Sequence, residues 1–346
     1  MSDVIRVGIV GAGNNTRTRH IPGLKAQKGV EIVSICNRSV ESTERVAREL
    51  SIPKACRHWQ DLVESSEIDA VLIGTWPYLH CPVTLAAFDC NLHVLTEARM
   101  AMNAREAHLM VEESNRHPRL VAQVVPAPYT LRVDRTVLKL IADGFLGEIY
   151  AVNLTANAQD FADLDGSLHW RQDRELSGFN VLTLGIWYEI LLRWVGEANR
   201  VMAMTRVNVR TRKSSEGLLR AVCIPDHVDA IAEMACGGQA HLQFSAVSGL
   251  SRSGEVWLFG RDGTLRYDMG EDRLYGGRRG DKELEEISIS PELAGRWRVE
   301  EEFVQAIRGV EPVRLTTFAD GLKYMQFTEA VACSASSGQA VTVSEM

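Results

Sequence analysis

The stretch RVGIVGAGNNTRTRHIP, residues 6–22, decides the fold. An apolar run through Val7, Ile9 and Val10 ends at Gly11-Ala12-Gly13 and passes into the polar Asn14-Asn15-Thr16. Two glycines spaced this way let a strand turn sharply into a helix and let the backbone approach a pyrophosphate. The third position of the Gly-x-Gly-x-x-Gly pattern holds Thr16, so the motif is incomplete. Its weight comes from its place after the first strand of a strand–helix–strand unit.

Outward from this turn the pattern repeats. Apolar runs predict strands over 4–10, 30–36, 70–74, 92–96 and 120–125. Amphipathic stretches predict helices over 19–27, 40–50, 82–89 and 103–115. Continuous Val/Ile/Leu runs between such helices mean a parallel sheet covered on both faces. The pattern changes at VVPAPYT, residues 124–130. Helices over 131–143 and 180–195 are followed by strand-like runs at 200–207, 228–235, 240–246, 255–259 and 264–267. Helices over 299–308 and 318–336 close the chain. RTRKSSEG (210–217) and YGGRRGDKE (275–283) read as exposed loops. The expected class is α/β. A doubly wound, Rossmann-type parallel sheet over 1–126 precedes an α+β domain over 127–346 with a mostly antiparallel, open-faced sheet.

Bulk properties exclude several functions. The 346 residues carry a formal charge of −7 and no basic run interleaved with aromatics, so no nucleic-acid partner is expected. No apolar run approaches the length of a membrane span. The start of the chain lacks the charged and apolar regions of a signal peptide. Seven scattered cysteines without a Cys-x-x-Cys pair fit reduced thiols, and a cytoplasmic location is expected. No metal is expected: there is no His-Glu-x-x-His or paired Cys/His spacing, and His227, flanked by Asp226 and Asp229, leads a sheet strand. A Gly-x-Ser-x-Gly elbow is absent as well.

The second strand ends at Asn37-Arg38-Ser39. NAD-binding folds often place a carboxylate there to bond the ribose hydroxyls. Its absence, with the fork-shaped donor of Arg38, favours NADP over NAD, unless Arg38 is only a solvated loop residue.

These segments resemble the Gfo/Idh/MocA family over nearly the whole chain. The resemblance rests on GAGNNTRTRHIPGL (11–24), DAVLIGTWPYLHCPVTLAAF (69–88), LHVLTEARMAM (92–102), GFLGEIYAVNL (144–154) and SGFNVLTLGIWYEILLRWVG (177–196). It implies that Gly11, Gly13, Asn14, Asn15, Thr16, Asn37, Arg38, Ser39, Thr75, Trp76, His80 and Glu97 line the cofactor. The family's Glu-Lys-Pro reads here Glu97-Ala98-Arg99, and its helical Asp, His and Asp read Thr183, Trp187 and Ile190. Oxidation of an alcohol needs a base for the hydroxyl proton, and none of these replacements is one. The proton relay is therefore absent or rebuilt. Glu97 is expected to order its turn through backbone hydrogen bonds. Candidate replacements for the chemistry are His80, which in relatives often orders the loop instead, Tyr78, which also suits packing, and Arg99. Arg99 suits either an anionic substrate group or a structural ion pair. Further substrate candidates are His169, Arg171, Asn180, Thr183 and Trp187, the last either a sugar-stacking platform or plain core. Glu189 reads as a structural charge.

Three functions compete. The first is an NAD(P)-dependent oxidoreductase on a sugar, polyol or related carbohydrate. The second is a redox-neutral lyase, hydrolase or epimerase that retains its cofactor. The third is a noncatalytic dinucleotide sensor. The resemblance also implies a homodimer or homotetramer built through the open sheet face.

Overall fold

The computed structural model describes residues 4–346. Six short strands lie parallel: β1 (Ile5–Val10), β2 (Val30–Cys36), β3 (Lys54–Ala55), β4 (Ala70–Ile73), β5 (His93–Thr96) and β6 (Ala122–Val124). Their order in the sheet is β3-β2-β1-β4-β5-β6. Val7, Ile9, Val71, Leu72, Ile73, Val94 and Leu95 are completely buried, as a sheet covered on both faces requires. The chain order reverses between β1 and β4. That is the switch point at which such sheets bind ligands, beyond the strands' carboxyl ends.

Local chemistry sets the helix limits. The Ser39 hydroxyl accepts from Ser42 N to start the helix Val40–Leu50, and Ser51 ends it in the left-handed region at φ 55°. Asn103 caps Ala104–Arg116 by accepting from Glu106 N. The expected helix over 19–27 is instead a five-residue π-helical turn, Thr16–His20, running into a short α-helix, Ile21–Lys25. Two elements carried too few residues for any periodicity to show: β3 and the helix Trp59–Val63.

The chain forms two compact units. One comprises residues 1–126 with 298–322, the other 127–297 with 323–346. The sequence reading put 298–322 in the second domain, yet this segment clusters with the first unit. The reason is visible at the edge of the parallel sheet. Val124 N donates to Thr316 O (2.9 Å) and Thr316 N to Val124 O (3.1 Å). The amide of buried Gln123 reaches Leu315 O at 2.7 Å. The returning segment thus covers an edge that would otherwise stand open.

The second unit carries a nine-stranded sheet. Its strands are β7 (Ile149–Asn157), β8 (Ala198–Arg206), β11 (His227–Met234), β12 (Gln239–Ser245), β13 (Gly254–Gly260), β14 (Gly263–Asp268), β15 (Arg273–Arg278), β16 (Glu285–Glu286) and β17 (Val341–Thr342). They run in the order β16-β15-β14-β13-β7-β12-β11-β8-β17, and only β7 and β12 pair in parallel. The stretch 210–217, expected as a loop, contributes β9 (Thr211–Lys213), which pairs with β10 (Leu219–Ala221). The stretch 275–283, also expected as a loop, begins inside β15, where Gly276 leaves no room for a side chain beside Ile287 and Leu265. One face of the sheet buries Val201, Ala203, Val228, Ala230, Leu242 and Phe244. The opposite face leaves Met202, Met204 and Ile231 exposed.

Candidate active site

The glycine turn sits at the carboxyl end of β1. Gly11 has φ 89° and would drive a side chain into Gly74 and Thr75, with Cβ 2.7–2.8 Å from their atoms. A glycine is therefore needed there twice over, for its backbone angle and for the close approach. Thr16, in place of the third glycine, is buried against Gly74, where a Cβ would lie 2.1 Å from the threonine hydroxyl. The missing glycine of the helix is thus compensated by a glycine after β4. Asn37 closes the turn from β2. Its side-chain oxygen accepts from Ala12 N at 2.8 Å, and its amide donates to the Ser42 hydroxyl at 3.2 Å.

A cleft of about 460 Å³ opens beside this turn. Gly11, Gly13, Asn37, Arg38, Thr75, Trp76 and Tyr78 line it. Arg38 lies over the Trp76 ring, 5.2 Å from its centroid. Arg57, His58 and Trp59 also line it and were missed in the sequence, because they follow the two-residue β3. Asn14 and Ser39 take structural contacts close by: Asn14 O accepts from the Thr18 hydroxyl, and Ser39 caps its helix. The cradle fits a dinucleotide, with backbone at the turn for the pyrophosphate and room beyond it for the adenosine.

Glu97 follows β5. One of its oxygens accepts from Ala98 N at 3.1 Å, which orders the turn. The other meets the Asn15 amide at 2.5 Å and His20 Nε2 at 3.0 Å. His20 is fully buried, and its Nδ1 lies 2.5 Å from Glu300. Burial opposes the imidazolium. The hydrogen bonds and charges of Glu300 and Glu97 outweigh that cost and raise its pKa to about 9. Burial likewise opposes the Glu97 carboxylate, and His20, together with the hydrogen bonds from Asn15 and Ala98 N, more than offsets it, so its pKa is lowered. Glu300 stands 280 residues from His20, so no local pattern could have joined them.

Several expected site residues are placed otherwise. His80 is fully buried, with Nδ1 2.9 Å from Arg99 O and Nε2 3.0 Å from Thr75 O. Burial lowers its pKa. It braces the turns after β4 and β5, and both ring nitrogens face carbonyls. The Arg99 side chain is buried rather than open to the cleft. The peptide joining it to Ala98 is cis.

In the second unit Trp187 is core, not a platform: it is 1 % exposed, packs on Tyr129, and a Cβ on Gly254 would sit 2.4 Å from its ring. Thr183 precedes the helix Leu184–Val195 as its cap residue, half-buried. Asn180 is buried and donates to Ser177 O. His169 and Arg171 are exposed around a short turn, with Arg171 over the Trp170 ring at 4.2 Å. Buried Glu189 accepts from Ala127 N and pairs with Arg193, which also meets Asp134. Its charge is structural. Among the described residues no group of three His, Cys, Asp or Glu side chains is placed to hold a metal, and no helix is long and apolar enough to cross a membrane.

A parallel sheet in this order, with a glycine cradle at its switch point, defines a Rossmann-type dinucleotide-binding protein. The chain belongs to the Gfo/Idh/MocA family. Residues 5–124 match the model described as "Oxidoreductase family, NAD-binding Rossmann fold", and residues 135–266 match that described as "GFO/IDH/MocA C-terminal domain". It is 31% identical over 180 residues to 1,5-anhydro-D-fructose reductase of Ensifer adhaerens, a match covering 51% of this chain and 52% of that one. It is 25% identical over 150 residues to "Uncharacterized oxidoreductase ORF334" of Rhizobium meliloti, covering 43% and 45%. The chain thus spans about half the length of these curated relatives. Among solved structures, levoglucosan dehydrogenase in complex with NADH and L-sorbose superposes with a TM-score of 0.86 at 21% identity, covering 98% of both chains. At that identity the likeness speaks for the fold.

Proposed function

We propose that this protein is an NAD(P)-dependent oxidoreductase acting on a sugar, polyol or related carbohydrate, with a rearranged proton relay. The observation that carries the reading is the cradle of Gly11, Gly13 and Gly74 at the mouth of the Arg38–Trp76 cleft. The carbohydrate class is supported by the names of the relatives, 1,5-anhydro-D-fructose reductase and levoglucosan dehydrogenase. A bound nicotinamide supplies the hydride donor or acceptor. Gly11 N and Ala12 N are given to Cys36 O and the Asn37 side chain, so the pyrophosphate falls to the backbone from Gly13 into the helical turn, and Arg38, with no carboxylate at Asn37, favours NADP.

Removal of a hydroxyl proton falls to groups other than the family's lysine. Ala98 has none to offer, Glu97 is taken by Asn15, His20 and Ala98, and His80 is taken by carbonyls. Tyr78, half-buried at the cleft that Ser42 and Thr75 also line, is the first unit's candidate hydroxyl for a substrate oxygen. Thr183, His169 and Arg171 are the accessible polar candidates of the second unit. The face bearing Met202, Met204 and Ile231 suits a homodimer or homotetramer. Seven free cysteines suit the reducing cytoplasm.

The test is a panel of sugars and polyols with each dinucleotide, followed by nicotinamide absorbance. Turnover with at least one carbohydrate supports the reading. Dinucleotide binding without turnover across the panel refutes it.

A further inference from the structure

A single buried imidazole joins the loop after β1 to the loop after β5. The first carries Asn15, two residues past Gly13, and the second carries Glu97. One Glu97 oxygen takes the Asn15 amide at 2.5 Å and His20 Nε2 at 3.0 Å, and the other takes Ala98 N. On the far side of the ring Nδ1 meets Glu300 at 2.5 Å, on the helix Val299–Ile307. An imidazole donates from both nitrogens only while it is charged. Neutral, it presents a lone pair to one of the two carboxylates, and a ring with no exposure has no water to take over. Burial works against the charge, and Glu300 and Glu97 together override it, holding the ring protonated to about pH 9. When the ring loses a proton, the shorter contact keeps the remaining one on the Glu300 side. The bond to Glu97 then breaks, and with it the anchor of Asn15. Other charged groups nearby are engaged elsewhere. Glu301 pairs with Arg298, and Glu302 accepts from Arg314 N and Leu315 N. Arg17 pairs with Glu49, Arg19 stands exposed, and His80 is pushed by burial toward its neutral form. We infer that Glu300 is a positioning residue for the cofactor: through His20 it holds Glu97 and Asn15 in place and so sets the turn whose backbone takes the pyrophosphate. The inference rests on the reading that the cleft holds a dinucleotide.

Trp59 and Trp76 line the cleft, so intrinsic fluorescence reports binding without turnover. The experiment titrates NADPH and NADH into the wild-type protein and into Glu300→Gln across pH 6.5–10, well below the melting temperature, with circular dichroism at each pH to show that the fold is kept. Wild-type affinity should hold to about pH 8 and then fall about tenfold or more, through a midpoint near 9. Glutamine still accepts the Nδ1 proton but no longer favours the charged ring. Glu300→Gln should therefore bind within about threefold of wild type at pH 6.5 and lose its affinity at least about one pH unit earlier. A residue that only packs its helix would weaken binding by the same factor at every pH. Glu301→Gln, on the same helix but paired with Arg298, should leave the midpoint in place. A wild-type affinity flat to pH 10, a Glu300→Gln curve parallel to wild type, or an equal shift in Glu301→Gln overturns the positioning role and leaves the dinucleotide reading standing. Should Glu300→Gln not fold, the wild-type curve alone decides. If the wild-type protein binds neither dinucleotide, that reading fails and the positioning role falls with it.

Discussion

Replacing Glu300 by glutamine removes one charge from the buried Asn15–His20–Glu97–Glu300 cluster while keeping the shape that packs against Gly23. The His20 ring has no exposure to water, and its pKa stands at about 9 against an ordinary 6.5. Such a rise is worth about 3 kcal/mol of folding stability. Because the folded value lies above the unfolded one, that stabilisation is whole below about pH 6.5 and is lost as the pH climbs through about 9. Glu97 acts at the other end of the scale. Its pKa is lowered, so its share is present above the ordinary carboxylate range and is lost as the pH falls through the lowered value. The two shifts describe one interaction from both sides and are counted once. Glutamine at 300 leaves Glu97 as the counter-charge paired with His20, and a lost hydrogen bond to a charged group costs about 1.5–3 kcal/mol. For a unit of roughly 150 residues this lowers the melting temperature by about 3–12 °C at pH 6.5. Thermal unfolding across pH 6–10 is the assay. The wild-type curve should fall toward the variant's as the pH passes about 9, and the two should meet above it. Curves that stay parallel throughout would refute a charged His20.

Gly74→Ala should abolish dinucleotide binding and cost about 1–3 kcal/mol, because the new methyl overlaps Thr16 Oγ1 and Gly11 O; fluorescence titration and melting check both parts. Ala98→Lys alone should give little or no new polyol oxidation, since Thr183 and Trp187 remain, whereas buried Arg99→Ala should lower native turnover or ligand-dependent thermal shift more than Ala98→Ser does. Trp187→Ala should cost about 3–5 kcal/mol by opening a core cavity, and Thr183→Ala far less; a stacking role for Trp187 would instead show as lost substrate affinity with stability kept. Light scattering at micromolar concentration should find a dimer or tetramer, and Met204→Asp on the open sheet face should shift it toward monomer.

The parallel sheet was legible because its strands are buried on both faces. Runs such as Val71-Leu72-Ile73 cannot be mistaken for half-exposed surface. The glycine cradle was legible in part: Gly11 and Gly13 announced it, while the partner that makes room for Thr16 lies after β4, where no motif points back to it. His80 and Trp187 show the opposite failure. Their residue types suggest chemistry, but a histidine between two carbonyls and a tryptophan over Gly254 serve packing, and only burial tells the two uses apart. Arg57 escaped because β3 is two residues long and has no period to read. The His20–Glu300 pair escaped because it is a product of chain return, not of spacing.

That return has a consequence for synthesis. The first unit is written in two instalments, 1–126 and 298–322, with roughly 170 residues between them. At ribosomal speeds of about 5–20 residues per second, the second instalment emerges about 10–35 s after the first. During that wait His20 lacks Glu300, and the β6 edge lacks the backbone at Thr316 that later pairs with Val124. The nascent nucleotide-binding half is thus an unfinished object with an open margin until residues 298–322 have been made, and a fragment ending at residue 126 would remain in that state.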